Sequence, residues 1–243
     1  MRSIWEITEP DETAVADIVK SARVPPLLAQ CLLNRGFTEP NAVDDFLHPK
    51  LARLSDPFLL PNMQAGVERL FKARDAGERV VIFGDYDVDG VTSCTILNES
   101  LGALGWQTAT YLPHRMDDGY GLSLEATQKC LAELKPQLVL AVDCGSTNIE
   151  SIDWINEQNI DVLVLDHHQV PKPAPAAFAL INPQLASEDE PDFRELCSAG
   201  LAFKLLHAIV KEGRAQGIVE MESYDVRPFL DLVALGTIAD LVP

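Results

Sequence analysis

From residue 79 onward, short continuous apolar runs alternate with longer stretches in which apolar positions recur every three or four residues. Val80-Val81-Ile82-Phe83, Leu138-Val139-Leu140-Ala141-Val142 and Val162-Leu163-Val164-Leu165 are the clearest runs. Runs of this length between turn residues suit strands buried on both faces. The alternation predicts strands over 79–84, 107–112, 137–142 and 160–165, with a short one over 178–181. It predicts helices over 91–104, 123–134, 148–158, 198–211 and 224–239. Strand and helix in regular succession specify an α/β fold, a parallel sheet flanked by helices.

Upstream the texture differs. Pro25-Pro26 precedes an apolar-periodic stretch from Leu27 to Arg35 that Gly36 closes, Pro40 opens a short helix through Phe46, and 63–76 reads as an amphipathic helix ended by Gly77. The organisation expected is an N-terminal helical arm over 1–77 and one α/β domain over 78–243.

Composition narrows the function. The 243 residues are 47% hydrophobic but only 7% aromatic, which suits an aliphatic core. No apolar stretch approaches the ~18 residues of a membrane span, and the N-terminus lacks a signal-peptide core. A cytoplasmic protein with no membrane partner is expected. The five cysteines are odd in number and none form a Cys-x-x-Cys spacing, so neither a disulfide framework nor a zinc ribbon is expected. The net charge of −18, from 19 basic and 37 acidic residues, opposes nucleic-acid binding by this chain alone. The end at Leu241-Val242-Pro243 reads as a cut within a longer protein, whose remainder would carry the basic surface.

The acids are not scattered. Asp85, Asp87 and Asp89 follow the first strand, Asp143 the third and Asp166-His167-His168 the fourth, while Asp240 closes an apolar helix. In an open α/β sheet the strand carboxyl ends share one cleft. Two carboxylates ~4 Å apart repel by about 4 kcal/mol at an effective dielectric near 20, and divalent cations remove that cost. Asp85-Tyr86-Asp87-Val88-Asp89-Gly90 is spaced like the opening of an EF-hand, but the twelfth position is Ile96 and a strand feeds the turn. Three alternate acids exceed the needs of helix capping. One histidine of the pair is a candidate metal ligand, the other a candidate proton donor or phosphate contact. Asp166 is a candidate for orienting an imidazole. Asp240 at a helix C-terminus opposes the dipole at a cost of up to ~1 kcal/mol, which a cation would offset. His114, Arg115 and Tyr120, after the second strand, are candidates for holding phosphate or stacking a base. The helix opening Ser198-Ala199-Gly200 offers amides to a phosphate, or small residues for close packing.

Asp-Tyr-Asp-Val-Asp-Gly, Asp-Cys-Gly, Asp-His-His and Gly-Thr-Ile-Ala-Asp-Leu-Val-Pro, in that order, resemble the four motifs of the DHH phosphoesterases. Tyr-Leu-Pro-His-Arg, Asp-Gly-Tyr-Gly-Leu and Ser-Ala-Gly-Leu-Ala-Phe-Lys resemble the RecJ-type branch, single-stranded-DNA 5′-to-3′ exonucleases of DNA repair and recombination. The resemblance is strong from Arg79 to Pro243 and loose over the arm. It implies two divalent cations, Mn²⁺ or Mg²⁺. Asp85, Asp87 and Asp143 would hold one; Asp89, Asp143, His167 and Asp240 the other; His168 would sit beside the scissile phosphate. It also implies DHH-associated and oligonucleotide-binding domains beyond this chain. Single-stranded DNA would be held mainly there, with a single-stranded-DNA-binding protein and a helicase as further partners. Cys144 stands where the family commonly has Asn. The alternatives are a DHH phosphoesterase for dinucleotides, nucleoside bisphosphates or pyrophosphate, and a non-catalytic replication scaffold of the same fold.

Overall fold

The computed structural model describes residues 9, 11–114, 121–187 and 193–242. The chain divides into two compact units at Ser55/Asp56. The first holds α1 (Glu12–Ala22), α2 (Pro26–Asn34) and α3 (Pro40–Leu47). Asp11 caps α1 by accepting from the Ala14 amide at 3.0 Å, and proline opens both α2 and α3, where its missing N–H costs nothing. Ile18, Ala29, Leu32 and Val43 form a small core of its own.

The second unit begins with α4 (Met63–Ala76), followed by β1 (Arg79–Phe83), α5 (Val88–Ala103), β2 (Gln107–Tyr111), α6 (Leu124–Leu134), β3 (Leu138–Val142), α7 (Ile149–Glu157), β4 (Asp161–Leu165), β5 (Ala179–Ile181), α8 (Ser198–Ala215), α9 (Val219–Glu222) and α10 (Leu230–Ala239). The five strands are all parallel, in the order β2-β1-β3-β4-β5. Alternate residues serve opposite faces. Val80, Ile82, Leu140 and Leu163 join the core under α4, α5 and α8. Val81, Phe83, Val139 and Val164 join the one that includes Ala126 and Cys130 of α6 and Ile152 and Ile155 of α7. The register pairs Phe83 with Tyr111 and Ala141, Val142 with Leu165, and Leu165 with Ile181, so the strand ends lie level.

Helix α4 belongs with the sheet instead of with the arm that the sequence pattern suggested. Gly66 packs so closely on β5 that a Cβ there would lie 2.6 Å from Ile181 Cδ1. Buried Arg69 binds Glu78 at 2.7 Å and Asp161 at 2.6 Å, and the Trp106 indole donates to the Leu70 carbonyl at 2.7 Å. The helix expected over 224–239 is divided: Arg227–Phe229 forms a 3-10 turn at Pro228, and α10 starts at Leu230. Helix α5 begins three residues earlier than expected, with Asp87 as its N-cap. No helix among the described residues is long and apolar enough to cross a membrane.

Candidate metal centre

The sheet order reverses between β1 and β3, and the acidic turns after both strands meet at that switch point, where open α/β sheets place their ligands. Asp85 is buried and accepts from the Tyr86 amide at 2.7 Å. Asp87 caps α5 through the Gly90 amide at 2.9 Å. Gly90 is required: a Cβ there would lie 2.5 Å from the Asp85 carbonyl oxygen, which is backbone and cannot swing aside. Asp89 lies in the first turn of α5 and is buried. Its carboxylate accepts from the first amides of α8, Ser198 at 2.6 Å and Ala199 at 2.8 Å. The amides that the sequence offered to a phosphate are therefore engaged by an aspartate of the same chain.

Asp143 follows β3 with φ of 59°, a left-handed conformation that Asp tolerates better than most residues. Burial pushes its carboxyl up to about 7, the His167 contact opposes this, and Asp89 and Asp87 add repulsion. After β4, Asp166 is buried and saturated. Oδ1 accepts from the His167 and His168 amides at 2.8 and 3.2 Å and contacts His168 Nδ1 at 2.7 Å; Oδ2 accepts from the Ser146 amide at 3.0 Å. Burial would raise this carboxyl, but the bonds from His168 and Ser146 prevail and hold it at about 2. The same bond lifts half-exposed His168 to about 9 against its burial. Burial likewise opposes charge on His167, but Asp143 and Asp240 outweigh it and raise its pKa.

The His167 ring is the meeting point. Its Nε2 lies 3.5 Å from Asp143, 3.7 Å from Asp240 and 3.9 Å from Asp89. Asp240 is the C-cap of α10, and burial raises its pKa. Three triads each bring their donor atoms within 4.8 Å of one another: Asp85, Asp87 and Asp143; Asp89, His167 and Asp240; Asp143, His167 and His168. Asp143 thus stands in two of the three. Asp143 Oδ1 and His167 Nε2 are buried and make no hydrogen bond among the described residues. Buried polar atoms that face several carboxylates without a hydrogen bond are unfavourable without a cation. An oxygen-rich set with one imidazole fits a hard divalent ion such as Mn²⁺ or Mg²⁺.

Two recesses of about 140 Å³ flank the cluster, one between Asp143, Gly145, Asn148 and His168, the other between Asp87, Asp89 and Asp240. Gly121, where the loop after β2 returns, also lines the first. His114 is exposed at the start of that loop; Arg115 and Tyr120 lie outside the described residues. Burial pushes the Cys144 thiol well above its ordinary value, so it stays protonated. Sequence reasoning missed Ser146 and Asn182, which support Asp166 and His168. The signal available was that both follow strand ends, as the acids do.

Residues 79–237 match the model of the DHH family, N-terminal domain. The chain is 35% identical over 239 residues to the single-stranded-DNA-specific exonuclease RecJ of Bacillus subtilis, aligning 98% of this chain with 29% of that protein. With the Escherichia coli RecJ it is 35% identical over 239 residues, 97% of this chain and 40% of the other. The chain therefore spans well under two thirds of these relatives. Among solved structures it resembles RecJ of Thermus thermophilus in complex with Mn²⁺, with a TM-score of 0.76 and 29% identity over 98% of this chain and 32% of that one.

Proposed function

The chain belongs to the DHH family, and from that premise we propose that it is the phosphodiesterase domain of a metal-dependent exonuclease that degrades single-stranded DNA from the 5′ end. The observation that carries the reading is the convergence of Asp85, Asp87, Asp89, Asp143, His167 and Asp240 into triads that share Asp143 and His167. Asp85, Asp87 and Asp143 would hold one divalent cation, and Asp89, Asp143, His167 and Asp240 a second, Mn²⁺ or Mg²⁺. Such ions, when bound, supply Lewis acidity toward a phosphodiester and the attacking water. The RecJ relatives solved with Mn²⁺ or Mg²⁺ support this choice.

The chain's own groups do the rest. Asp166 occupies Nδ1 of His168 and favours its cationic form, so Nε2 is the ring's remaining polar atom and offers a proton or a hydrogen bond to a phosphate oxygen. Asp143 ties the two ligand sets together, and its burial keeps their charges strongly coupled. His114, Arg115 and Tyr120, in the loop after β2, are proposed to contact the strand beside the first recess. Single-stranded DNA would be gripped mainly by further chain of the kind the longer relatives possess. A single-stranded-DNA-binding protein and a helicase are the expected protein partners, and cytoplasmic DNA repair and recombination the setting.

The test is hydrolysis by the purified chain with Mn²⁺, alone and joined to the remaining length of a RecJ relative. Substrates are 5′-labelled single strands, dinucleotides, pyrophosphate and a small chromogenic phosphodiester. Metal-dependent release of mononucleotides from single strands by the joined protein is expected. Turnover confined to dinucleotides or pyrophosphate would replace the nuclease reading with a small-substrate one. No turnover of any substrate with Mn²⁺ demonstrably bound would mean a scaffold.

A further inference from the structure

Asn182, at the end of β5, is fully buried and belongs to neither ligand set. Its Nδ2 donates to the His168 carbonyl at 2.9 Å and to Ser146 Oγ at 2.8 Å. Its Oδ1 accepts from the Gln184 amide at 2.8 Å. The orientation is unambiguous, because a backbone amide only donates and a backbone carbonyl only accepts. The Ser146 amide in turn donates to Asp166 Oδ2 at 3.0 Å, and Asp166 Oδ1 holds His168 Nδ1 at 2.7 Å.

These four residues close a ring: Asn182 to Ser146, Ser146 to Asp166, Asp166 to His168, and His168 back to Asn182. The ring joins the segments that follow β3, β4 and β5. We propose that Asn182 is a positioning residue for His168, holding its backbone while Asp166 holds its ring. This rests on the reading of His168 as the group beside the phosphate. His168 has two anchors on Asp166, its ring Nδ1 and its backbone amide. Its carbonyl, where the chain leaves for the proline-rich loop, is fixed by Asn182. A buried polar network whose members are satisfied is rigid and specific. Asn suits the place because it donates twice and accepts at once. Asp, of the same shape, keeps the acceptor for Gln184 but turns an oxygen toward the His168 carbonyl.

Asn182→Asp and Ser146→Ala open the ring at different points and leave every proposed ligand in place. In the histidine-¹⁵N-labelled chain, both variants should shift or broaden the His168 imidazole signals and leave those of His167 close to wild type. Mn²⁺ affinity should change little, while hydrolysis of bis(p-nitrophenyl) phosphate at saturating Mn²⁺ falls by about tenfold. Unchanged His168 signals in both variants would overturn the proposal, as would a wild-type rate in both where His168→Ala is slow. If Asn182→Asp loses its fold, Ser146→Ala, which removes a single hydroxyl, decides. If His168→Ala is itself as fast as wild type, the reading of His168 at the phosphate fails, and the imidazole signals still decide whether Asn182 positions it.

Discussion

A carboxyl held up to about 7 by burial, as Asp143 is, is partly protonated at neutral pH without a cation. His167, whose pKa Asp143 and Asp240 raise against its burial, must also shed its proton to offer Nε2. Mn²⁺ affinity is therefore expected to rise with pH and level off once both groups have lost their protons, with proton release on binding; calorimetry in buffers of different ionisation enthalpy reads both. Asp143→Asn should weaken both cations, by about tenfold or more, whereas His168→Ala should leave metal affinity close to wild type; equal losses would remove Asp143 from its shared role. The Asp166–His168 bond has its own pH signature. His168 is raised from 6.5 to about 9, so its contribution to stability is complete below 6.5 and lost as pH rises through 9. Asp166 is lowered from 3.8 to about 2, so its contribution is complete above 3.8 and lost as pH falls through 2. Asp166→Asn should cost most stability between those ordinary values, in metal-free urea titrations across pH, and should move the His168 titration down toward 6.5. At this scale the acids and both histidines were legible, because each follows an apolar run. The Asn182 ring was not: three of its four bonds span 14 to 36 residues and carry no local pattern.

Helices α5, α8 and α10 meet around one glycine. A Cβ on Gly236 would lie 2.6 Å from Ala199 Cβ, 2.8 Å from Asp89 Oδ1 and 2.9 Å from Thr92 Oγ1. Its absence lets α10 approach the carboxylate that caps α8 and brings Asp240 to His167. Gly236→Ala should cost about 1–3 kcal/mol by overpacking and weaken Mn²⁺ binding through displacement of Asp89 or Asp240; thermal unfolding without metal and an Mn²⁺ titration separate the two effects. Wild-type affinity in a destabilised variant would show that the packing supports the fold alone. Strands β1, β3 and β4 were legible as elements because their burial on both faces writes continuous apolar runs. The place of α4 was not, since the Gly66–Ile181 contact and the Arg69–Asp161 pair join residues far apart in sequence. The same holds for α8, whose small first turn suited a phosphate equally well until Asp89 was found there.

Over the whole molecule the charge of −18 opposes a polyanion, and two divalent cations offset only a few of those charges. Most protein–DNA affinities fall as salt rises, through release of counterions. For this chain alone the expectation is reversed: weak binding of single strands that is flat or slightly stronger between low and physiological salt, as screening relieves repulsion. Fluorescence anisotropy with a labelled oligonucleotide and Mn²⁺ measures it, and a steep loss with salt would reveal a basic path the composition hides. The amides that cap Asp89 stand 109 and 110 residues away from it along the chain, and this has a kinetic meaning. Closing a loop of that length is entropically costly before its contacts reward it, so the aspartate cage is completed among the last events of folding. A cation that recognises only the finished cage stabilises the native state and leaves the folding barrier, seen from the unfolded side, where it was. Stopped-flow measurements should find that Mn²⁺ slows unfolding and leaves refolding unchanged; faster refolding would mean that the cage forms early, as part of the nucleus.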